Sequence, residues 1–230
     1  MKIVILAAGM GSRLGNPFPK PLTPLGDGRT IMQQQIENLA AFFNPDDIQV
    51  VVGFKKELIM ETFPDMSFIY NPYFDQTNTS KSLLKALKKN RHESVLWLNG
   101  DVVFDKEMLS DALPLLAREA SFICVNNLEC GEEEVKYTLG KHGLVDQISK
   151  QVKDGLGEAV GINFVAKSDL GLFIKWLEAC DDNDYFEKGL ELAVQNDGLK
   201  LTALDISKYR CLEVDFDEDL VRANKLFKDK

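Results

Sequence analysis

A glycine-rich loop carrying one arginine and one lysine follows the first apolar segment of the chain. It reads LAAGMGSRLGNPFPKPL, at positions 6–22. Gly9 and Gly11 allow backbone N–H groups to approach an oxyanion closely, and Arg13 can direct a fork of donors at phosphate oxygens. Lys20 stands between two prolines on a stiff segment, where its ammonium would stabilise a nearby phosphoryl oxygen by about 4 kcal/mol at an effective dielectric constant of about 20. The loop therefore predicts binding of a nucleoside triphosphate.

The spacing of the loop excludes two other phosphate-binding motifs. A P-loop needs G-x-x-x-x-G-K-[ST], which the chain lacks. A dinucleotide-binding loop needs G-x-G-x-x-G at the start of a helix and an acidic residue at the end of the second strand. Here Gly15 comes one position late, prolines at 17, 19 and 21 exclude a helix, and the second strand ends in GFKK. A dehydrogenase is therefore not expected.

The whole stretch resembles the signature of the nucleotidyltransferases that move NMP from an NTP onto a small phosphate acceptor. That signature is L-A-A-G-x-G-[ST]-R-(x)-P-K-x-L, and the chain matches it throughout, including the seven positions from Arg13 to Lys20. The resemblance implies that Arg13 holds the β- and γ-phosphates. It implies that Lys20 holds the α-phosphate and the incoming oxygen.

The resemblance also implies a Mg²⁺ site. The reaction needs a divalent cation to neutralise and orient the triphosphate. The two carboxylate ligands of the family correspond to Asp101, in LWLNGDVVF, and Asp215, in CLEVDFDEDL. Taken alone, Asp101 also fits a turn-forming residue, and Asp215 a charge at a helix N-terminus. Their pairing in space rests on the resemblance.

The segment FIYNPYFDQTNTSKSLLKAL most resembles the cytidylyltransferases that act on phosphocholine and similar small phospho-amines. Its polar tip is expected to contact the cytosine edge, with backbone N–H groups at the end of the first strand as the other half of the pocket. Thr79 or Ser80 acting as a helix cap is the alternative. The residues implied to bind the nucleotide are Ala7, Ala8, Gly9, Gly11, Ser12, Asn78, Ser80 and Ser82.

An acceptor with an ammonium group requires aromatic faces and acidic side chains around it. The second half of the chain supplies both, with Glu158 in GEAVGINF and with Tyr185 and Glu187 in DNDYFEKGLELAV. Trp176 and Tyr137 are further candidates, although aromatic residues at helical spacing more often belong to a core. We expect Glu158, Tyr185 and Glu187 to bind the acceptor.

Alternating strands and helices must position these residues. Apolar runs such as KIVILAAG and SVLWLNGD alternate with helical patterns such as TIMQQQIENLAAFF, which is typical of a parallel sheet covered on both faces. After about residue 130, consecutive strands of antiparallel style follow. The sequence thus predicts one α/β domain with a mixed, mainly parallel twisted sheet, of the nucleotide-diphospho-sugar-transferase type that the resemblance implies. Residues 1–130 would bind the nucleotide, and a smaller β-rich part, 131–230, the acceptor.

Composition limits the partners. The net charge of −9 and the lack of a basic stripe argue against nucleic acid. No apolar run reaches the length that spans a bilayer, and MKIVILAAG lacks the features of a secretory signal, so membrane insertion is not expected. The four scattered cysteines are expected to be reduced thiols of a cytoplasmic protein. The oligomeric state is not predicted.

The combined hypothesis is a Mg²⁺-dependent cytidylyltransferase. It would transfer CMP from CTP to a small phosphorylated amino alcohol such as phosphocholine, or to a related phosphonate, and release pyrophosphate. One alternative is a sugar-1-phosphate nucleotidyltransferase using UTP, dTTP or GTP, which would share the opening loop but offer amides and hydroxyls to its acceptor. A second alternative is a catalytically idle sensor that binds a nucleotide without turnover.

Overall fold

The computed structural model describes residues 1–11, 17–128, 130–131 and 134–227. Strands and helices alternate through these ranges. The strands are β1 Lys2–Ala7, β2 Ile48–Val52, β3 Ser67–Tyr70, β4 Val95–Asn99, β5 Val102–Phe104, β6 Phe122–Asn126, β7 Lys136–Leu139, β8 Val145–Ser149, β9 Gly157–Val165, β10 Thr202–Asp205 and β11 Cys211–Glu213. The α-helices are α1 Ile31–Ala40, α2 Lys56–Thr62, α3 Thr79–Lys89, α4 Met108–Ala117, α5 Lys167–Ala179, α6 Phe186–Asp197 and α7 Asp217–Leu226.

Nine of these strands form one sheet. Seven follow the order β10-β6-β9-β4-β1-β2-β3, and β7 and β8 extend from β9. Strands β1 to β4 pair in parallel, whereas β9 is antiparallel to β4, β6 and β7. The predicted mixed, mainly parallel sheet is confirmed, and so are the consecutive antiparallel strands after residue 130.

The strand order creates a crevice beside β1. The chain adds β2 and β3 on one side of β1 and then places β4 on the other side. In open α/β sheets, ligands bind at such a switch point, outside the carboxyl ends of the strands. Leu6 pairs with Asn99, so the glycine-rich loop and the turn that carries Asp101 leave the sheet side by side.

Apolar layers cover both faces of the sheet. Along β1, Val4 and Leu6 belong to one layer and Ile3 and Ile5 to the other, which explains why the strand reads as a continuous apolar run. In the first layer, Trp97 of β4 stacks on a phenylalanine of α5, with 5.5 Å between ring centroids. None of the helices in the described ranges combines the length and the apolar character that a membrane crossing requires.

A short antiparallel pair, β5 with β11, stands apart from the main sheet. The sequence predicts no separate strand at Val102–Phe104, because those residues continue the apolar run of β4 beyond a turn of two residues. Pairing Val102 with Glu213 brings the turn after β4 against the segment that follows β11. This small sheet therefore joins two parts of the chain that are remote in sequence.

Buried amides of α1 hold the backbone of the same turn. Gln35 Nε2 donates to the carbonyl oxygens of Asn99 and Val102, at 2.8 Å each. Asn38 Nδ2 donates to a carbonyl of β5 at 2.7 Å. A buried carbonyl without a donor costs free energy, so these amides stabilise the turn that carries Asp101.

Replacing Gln35 by leucine should therefore lower the free energy of unfolding by about 2 kcal/mol, because two carbonyls of the turn lose their donor. Urea denaturation measures the change. Gln33→Leu is the matched control, since Gln33 is exposed on the same helix, and it should shift stability by no more than about 0.5 kcal/mol. Equal losses in the two variants would contradict the role given to Gln35.

Candidate functional site

A cleft of about 870 Å³ opens at the carboxyl ends of β1 and β4. Its walls come from the glycine-rich loop, the turn after β4, β9, and the segments that begin α3, α6 and α7. The predicted site residues that line it are Ala7, Gly9, Gly11, Lys20, Asn78, Asp101, Glu158, Tyr185, Glu187 and Asp215.

Lys20 joins the two predicted metal ligands. Its ammonium donates to Asp101 Oδ2 at 2.9 Å and also to Asp215 Oδ1. Sequence alone could not show that these acids meet, and the structure confirms that they do. The lysine begins a turn of 3₁₀ helix, Lys20–Leu22, so its backbone is fixed next to the cleft.

Burial and charge act in opposite directions on Lys20. Burial lowers the pKa of its ammonium, but the nearby charges and hydrogen bonds of Asp101 and Asp215 outweigh it, and the net shift is upward. Lys20 therefore stays protonated at physiological pH. A fixed positive charge of this kind is suited to stabilising negative charge that develops on a phosphate.

The carboxylates are fixed through the backbone as well as through Lys20. The backbone N–H of Val214 donates to the carbonyl of Asp101 at 3.0 Å. The backbone N–H groups of Asp215 and Phe216 donate to the side chain of Asp219 at 3.0 and 2.8 Å. The side chain of Asp219 therefore caps the start of α7 and ties that helix to Asp215.

The glycine-rich loop lies directly against Lys20. Gly11 has a φ of +59°, and a Cβ placed there would lie 3.0 Å from Cβ of Lys20. A side chain at this position would combine backbone strain with a close contact, so Gly11 lets the loop pass the lysine. The predicted residues Ser12 and Arg13 lie outside the described ranges.

The predicted base-binding residues divide into two groups. Ala7 and Asn78 line the cleft, and so does Thr79, a residue of the polar tip that was also considered as a helix cap. Ala8, Ser80 and Ser82 do not line the cleft. Asn78, not Thr79 or Ser80, caps α3, since its Oδ1 accepts from the N–H of Thr79 at 2.8 Å.

Ser80 and Ser82 face away from the cleft. Ser80 is fully buried, and the Ser82 hydroxyl accepts a hydrogen bond from Asn71 at 3.1 Å. Alternate residues of a segment entering a helix cannot all face one cavity. The contact of Ser80 and Ser82 with a nucleotide stays a prediction.

The first turns of α3 and α6 are joined. The N–H of Phe186 donates to the Thr79 hydroxyl at 3.1 Å, and the N–H of Asn78 donates to the carbonyl of Asp182 at 2.7 Å. These bonds place the predicted acceptor residues Tyr185 and Glu187 next to Asn78 and Thr79. The further candidates lie elsewhere: Tyr137 is in the core, and Trp176 of α5 hydrogen-bonds Asp197.

Glu187 is a buried acid in the wall of the cleft. Its side chain is only 7% exposed, and Oε2 has no hydrogen-bond partner within the described ranges. Burial raises the pKa of Glu187 to about 7, although a backbone hydrogen bond and the charge of Lys150 oppose the shift. A buried carboxylate without a partner is costly, so a cation that reached it would be stabilised.

Glu213, to which the sequence analysis assigns no role, lines the cleft too. Burial raises its pKa well above the usual range, and the charges of Asp101 and Glu187 raise it further. Strand alternation is the signal that identifies it: Val214 is buried in an apolar cluster, so the residues on either side of it face the opposite way.

Gly161 makes room for Glu213. It has a φ of +69°, and a Cβ there would lie 2.5 Å from Glu213 Oε1 and 2.7 Å from Asn99 Nδ2. Asn99 donates to the same carboxylate oxygen at 3.2 Å. The glycine in β9 thus permits the contact between the end of β4 and the end of β11.

Two carboxylates and a bound triphosphate suit Mg²⁺. Within the described ranges, no cluster of three or more histidine, cysteine, aspartate or glutamate ligands is present, so the chain offers no closed metal cage there. Mg²⁺ commonly takes one or two carboxylates together with substrate phosphates. Asp101 Oδ1 is buried and lacks a hydrogen-bond partner among the described residues, which leaves it available as a ligand.

Comparison with known proteins now identifies the family. Residues 3–160 match the model of the MobA-like NTP transferase domain. The chain belongs to this family. The resemblance to nucleotidyltransferases that the opening loop indicated is therefore confirmed, and the protein is an NTP transferase domain.

Curated relatives match only part of this NTP transferase domain. The bifunctional protein GlmU of Francisella philomiragia is 34% identical over 121 residues, which are 53% of this chain and 26% of that protein. The CMP-5'-(3-aminopropyl)phosphonate synthase of Streptomyces rubellomurinus is 36% identical over 118 residues, 47% of this chain and 18% of that protein. The chain thus aligns with about a quarter or less of the length of these relatives.

Solved structures share the fold over the whole chain. A putative glucose-1-phosphate thymidylyltransferase from Bacillus anthracis superposes with a TM-score of 0.80 at 17% identity, covering 100% of this chain and 96% of that one. The CTP:phosphocholine cytidylyltransferase of Streptococcus pneumoniae superposes with a TM-score of 0.76 at 17% identity, covering 98% of each chain. The predicted fold type is confirmed.

The buried acid gives this NTP transferase domain a testable pH dependence. An unfolded glutamate ionises near pH 4.5, whereas folded Glu187 ionises near pH 7, so the folded state binds the extra proton between these values and loses stability as pH rises through them. In Glu187→Gln this loss is absent. The unfolding free energy of the variant relative to wild type should rise by about 3 kcal/mol from pH 4.5 to pH 8.

Urea denaturation at several pH values measures that difference. Parallel pH profiles for wild type and Glu187→Gln would show that Glu187 is ionised in the folded protein at low pH, contrary to the pKa that burial gives it.

Proposed function

We propose that this NTP transferase domain is a Mg²⁺-dependent cytidylyltransferase. It transfers CMP from CTP to a small phosphorylated acceptor that carries an ammonium group, such as phosphocholine or an aminoalkyl phosphonate. The observation that carries the proposal is the contact of the Lys20 ammonium with both Asp101 and Asp215, inside a cleft that also contains a buried, unneutralised acid.

The proposed reaction needs positioning and charge stabilisation rather than a covalent enzyme intermediate. An oxygen of the acceptor phosphate attacks the α-phosphorus of CTP in line, and the bond to the leaving pyrophosphate breaks. Lys20 holds the α-phosphate and the incoming oxygen and compensates the charge that grows between them. Gly9 and Gly11 let the backbone approach the triphosphate, and Arg13 is proposed to hold the β- and γ-phosphates.

Asp101 and Asp215 are the proposed ligands of Mg²⁺. The metal would supply neutralisation and orientation of the triphosphate. Both carboxylates line the same cleft and already share one cation, so their geometry is compatible with a second role as ligands. The buried Oδ1 of Asp101 supports this assignment.

Excess negative charge supports an ammonium-bearing acceptor. Four glutamates, Glu134, Glu158, Glu187 and Glu213, line the cleft together with Tyr185. Lys20 is engaged by the two aspartates, so it is not available to balance these glutamates. An ammonium group next to an aromatic face and carboxylates is a favourable arrangement.

The choice of CTP is supported by the names of two similar proteins. The relative from Streptomyces rubellomurinus is named for a CMP-phosphonate product, and the Streptococcus pneumoniae structure is of a CTP-dependent enzyme. The cleft offers Ala7, Asn78 and Thr79 on the side of α3 for contacts to a base.

A sugar-1-phosphate nucleotidyltransferase is the second candidate. It is favoured by the high TM-score with the putative thymidylyltransferase and by amide side chains in the cleft, those of Asn99 and Asn126. The buried acid distinguishes the two, because a hydroxyl can donate a hydrogen bond to a carboxylate but cannot neutralise it.

A pyrophosphate-release screen tests the function. With Mg²⁺ and phosphocholine or 2-aminoethylphosphonate, CTP should give the fastest release among the four NTPs. Glucose-1-phosphate with UTP or dTTP is the comparison for the second candidate, and faster release there would replace our proposal. No release with any NTP across the acceptor panel, together with calorimetric NTP binding, would instead identify a nucleotide sensor.

Loss of the Lys20 cation should abolish most of the activity. At an effective dielectric constant of about 20, an ammonium next to a phosphoryl oxygen contributes about 4 kcal/mol, so Lys20→Ala should lower kcat/KM about a thousandfold. Lys2→Ala is the matched control, because Lys2 also forms an ion pair, with Asp47, but lies outside the cleft. Circular dichroism confirms folding, and near-wild-type turnover in Lys20→Ala would remove the lysine from the mechanism.

A further inference from the structure

Lys150 brings a cation of the protein itself to the acidic part of the cleft. It follows directly after β8, and its ammonium lies 5.1 Å from the centroid of the Tyr185 ring, a distance typical of a cation–π contact. Its charge also acts on the buried carboxylate of Glu187. A lysine therefore lies over the aromatic face, and its charge also acts on the buried acid, the two groups that together suit an ammonium ligand.

Lys150 is held less firmly than the other lysine of the cleft. Lys20 is fixed by Asp101 and Asp215, whereas Lys150 forms no ion pair with any residue in the part of the chain that the structure describes. It is only half buried, and its ammonium is a compact charge on a flexible four-carbon stem. Its ammonium can therefore leave the Tyr185 ring without breaking an ion pair.

We propose that Lys150 is a specificity-determining residue whose ammonium occupies the position of the acceptor's ammonium group and is displaced when the acceptor binds. This inference rests on the proposed function. In the free protein, Lys150 balances part of the charge of Glu187 and covers Tyr185. An acceptor cation replaces it on both groups, so the acceptor must compete with a tethered cation for its own site.

Competition predicts that removing the lysine charge strengthens acceptor binding. Lys150→Met keeps most of the side-chain length, frees the Tyr185 face and leaves Glu187 without a protein cation. Isothermal titration with choline as the probe should give about tenfold tighter binding than in wild type. The neutral isostere 3,3-dimethylbutanol should gain less, because it recovers no charge interaction with Glu187.

Two further variants distinguish displacement of the Lys150 ammonium from a general effect of removing one positive charge from the protein. Lys153→Met removes the same charge from an exposed lysine three positions further along the chain and should leave choline binding unchanged. Lys150→Arg keeps a cation over the ring and should bind choline as weakly as wild type. In turnover assays, Lys150→Met should lower KM for the cationic acceptor and leave kcat unchanged.

Unchanged or weaker choline binding in Lys150→Met would overturn the inference, since it would mean that Lys150 contacts the acceptor's phosphate or serves only the fold. An equal gain in Lys153→Met, or no choline binding by any of the proteins, would overturn it as well. The choline titration measures binding alone and does not require catalysis. Tighter choline binding with no activity on any NTP would therefore disprove the proposed function alone, and activity on phosphocholine without the gain would disprove the role of Lys150 alone.

Discussion

The contact of one ammonium with two carboxylates from remote parts of the chain constrains the rest of the structure. Lys20, Asp101 and Asp215 are each partly removed from water, and a charge in that position is costly unless it is paired. The three groups can be paired only if the loop after β1, the turn after β4 and the end of β11 meet. The two-stranded sheet of β5 and β11 accomplishes this, and the amide of Gln35 holds the turn between its two partners. A minor element of the fold thus determines the geometry of the candidate site.

The charges in the cleft are unevenly compensated. Around Lys20, two acids share one cation, and Oδ1 of Asp101 is left without a hydrogen-bond partner among the described residues. Around Glu187, burial is deeper and the nearest cation is a half-buried lysine over an aromatic ring. Glu213 connects the two regions electrostatically, because the charges of Asp101 and Glu187 both raise its pKa. The first region thus contains its own cation, whereas the second contains a buried carboxylate oxygen that accepts no hydrogen bond from the described residues.

The sequence predicted the fold type and the residues that recur in a family signature, but not the strand pairing and hydrogen bonds that position those residues. Hydrophobic periodicity identified β1, β4 and the helices because each buries a regular apolar face. It missed β5, because a strand of three residues shows no period of its own. It assigned no role to Gln35, because a glutamine is expected to be solvent-exposed unless the carbonyls that accept its hydrogen bonds are known. Ser80 was included with its polar neighbours because a linear motif does not show which residues turn inward. Lys150 carries no local signal at all, since its partners Tyr185 and Glu187 meet it only through the fold.

Fold similarity alone cannot choose the acceptor. Structures of a putative thymidylyltransferase and of a cytidylyltransferase superpose on this chain with TM-scores of 0.80 and 0.76, both at 17% identity, so the common sheet and its switch point serve both kinds of substrate. The choice depends on how the buried acid of the cleft is satisfied. A sugar hydroxyl would leave Glu187 in one of two states. The carboxylate would either stay charged without a compensating cation, or be protonated and donate one hydrogen bond to the sugar. An ammonium group would neutralise the carboxylate and cover the Tyr185 ring in one step. The half-buried Lys150 already lies over the ring in the free protein, and its charge acts on the pKa of Glu187 without an ion pair between the two side chains. Under the proposed function, the protein's own lysine therefore marks where the ammonium group of the acceptor binds.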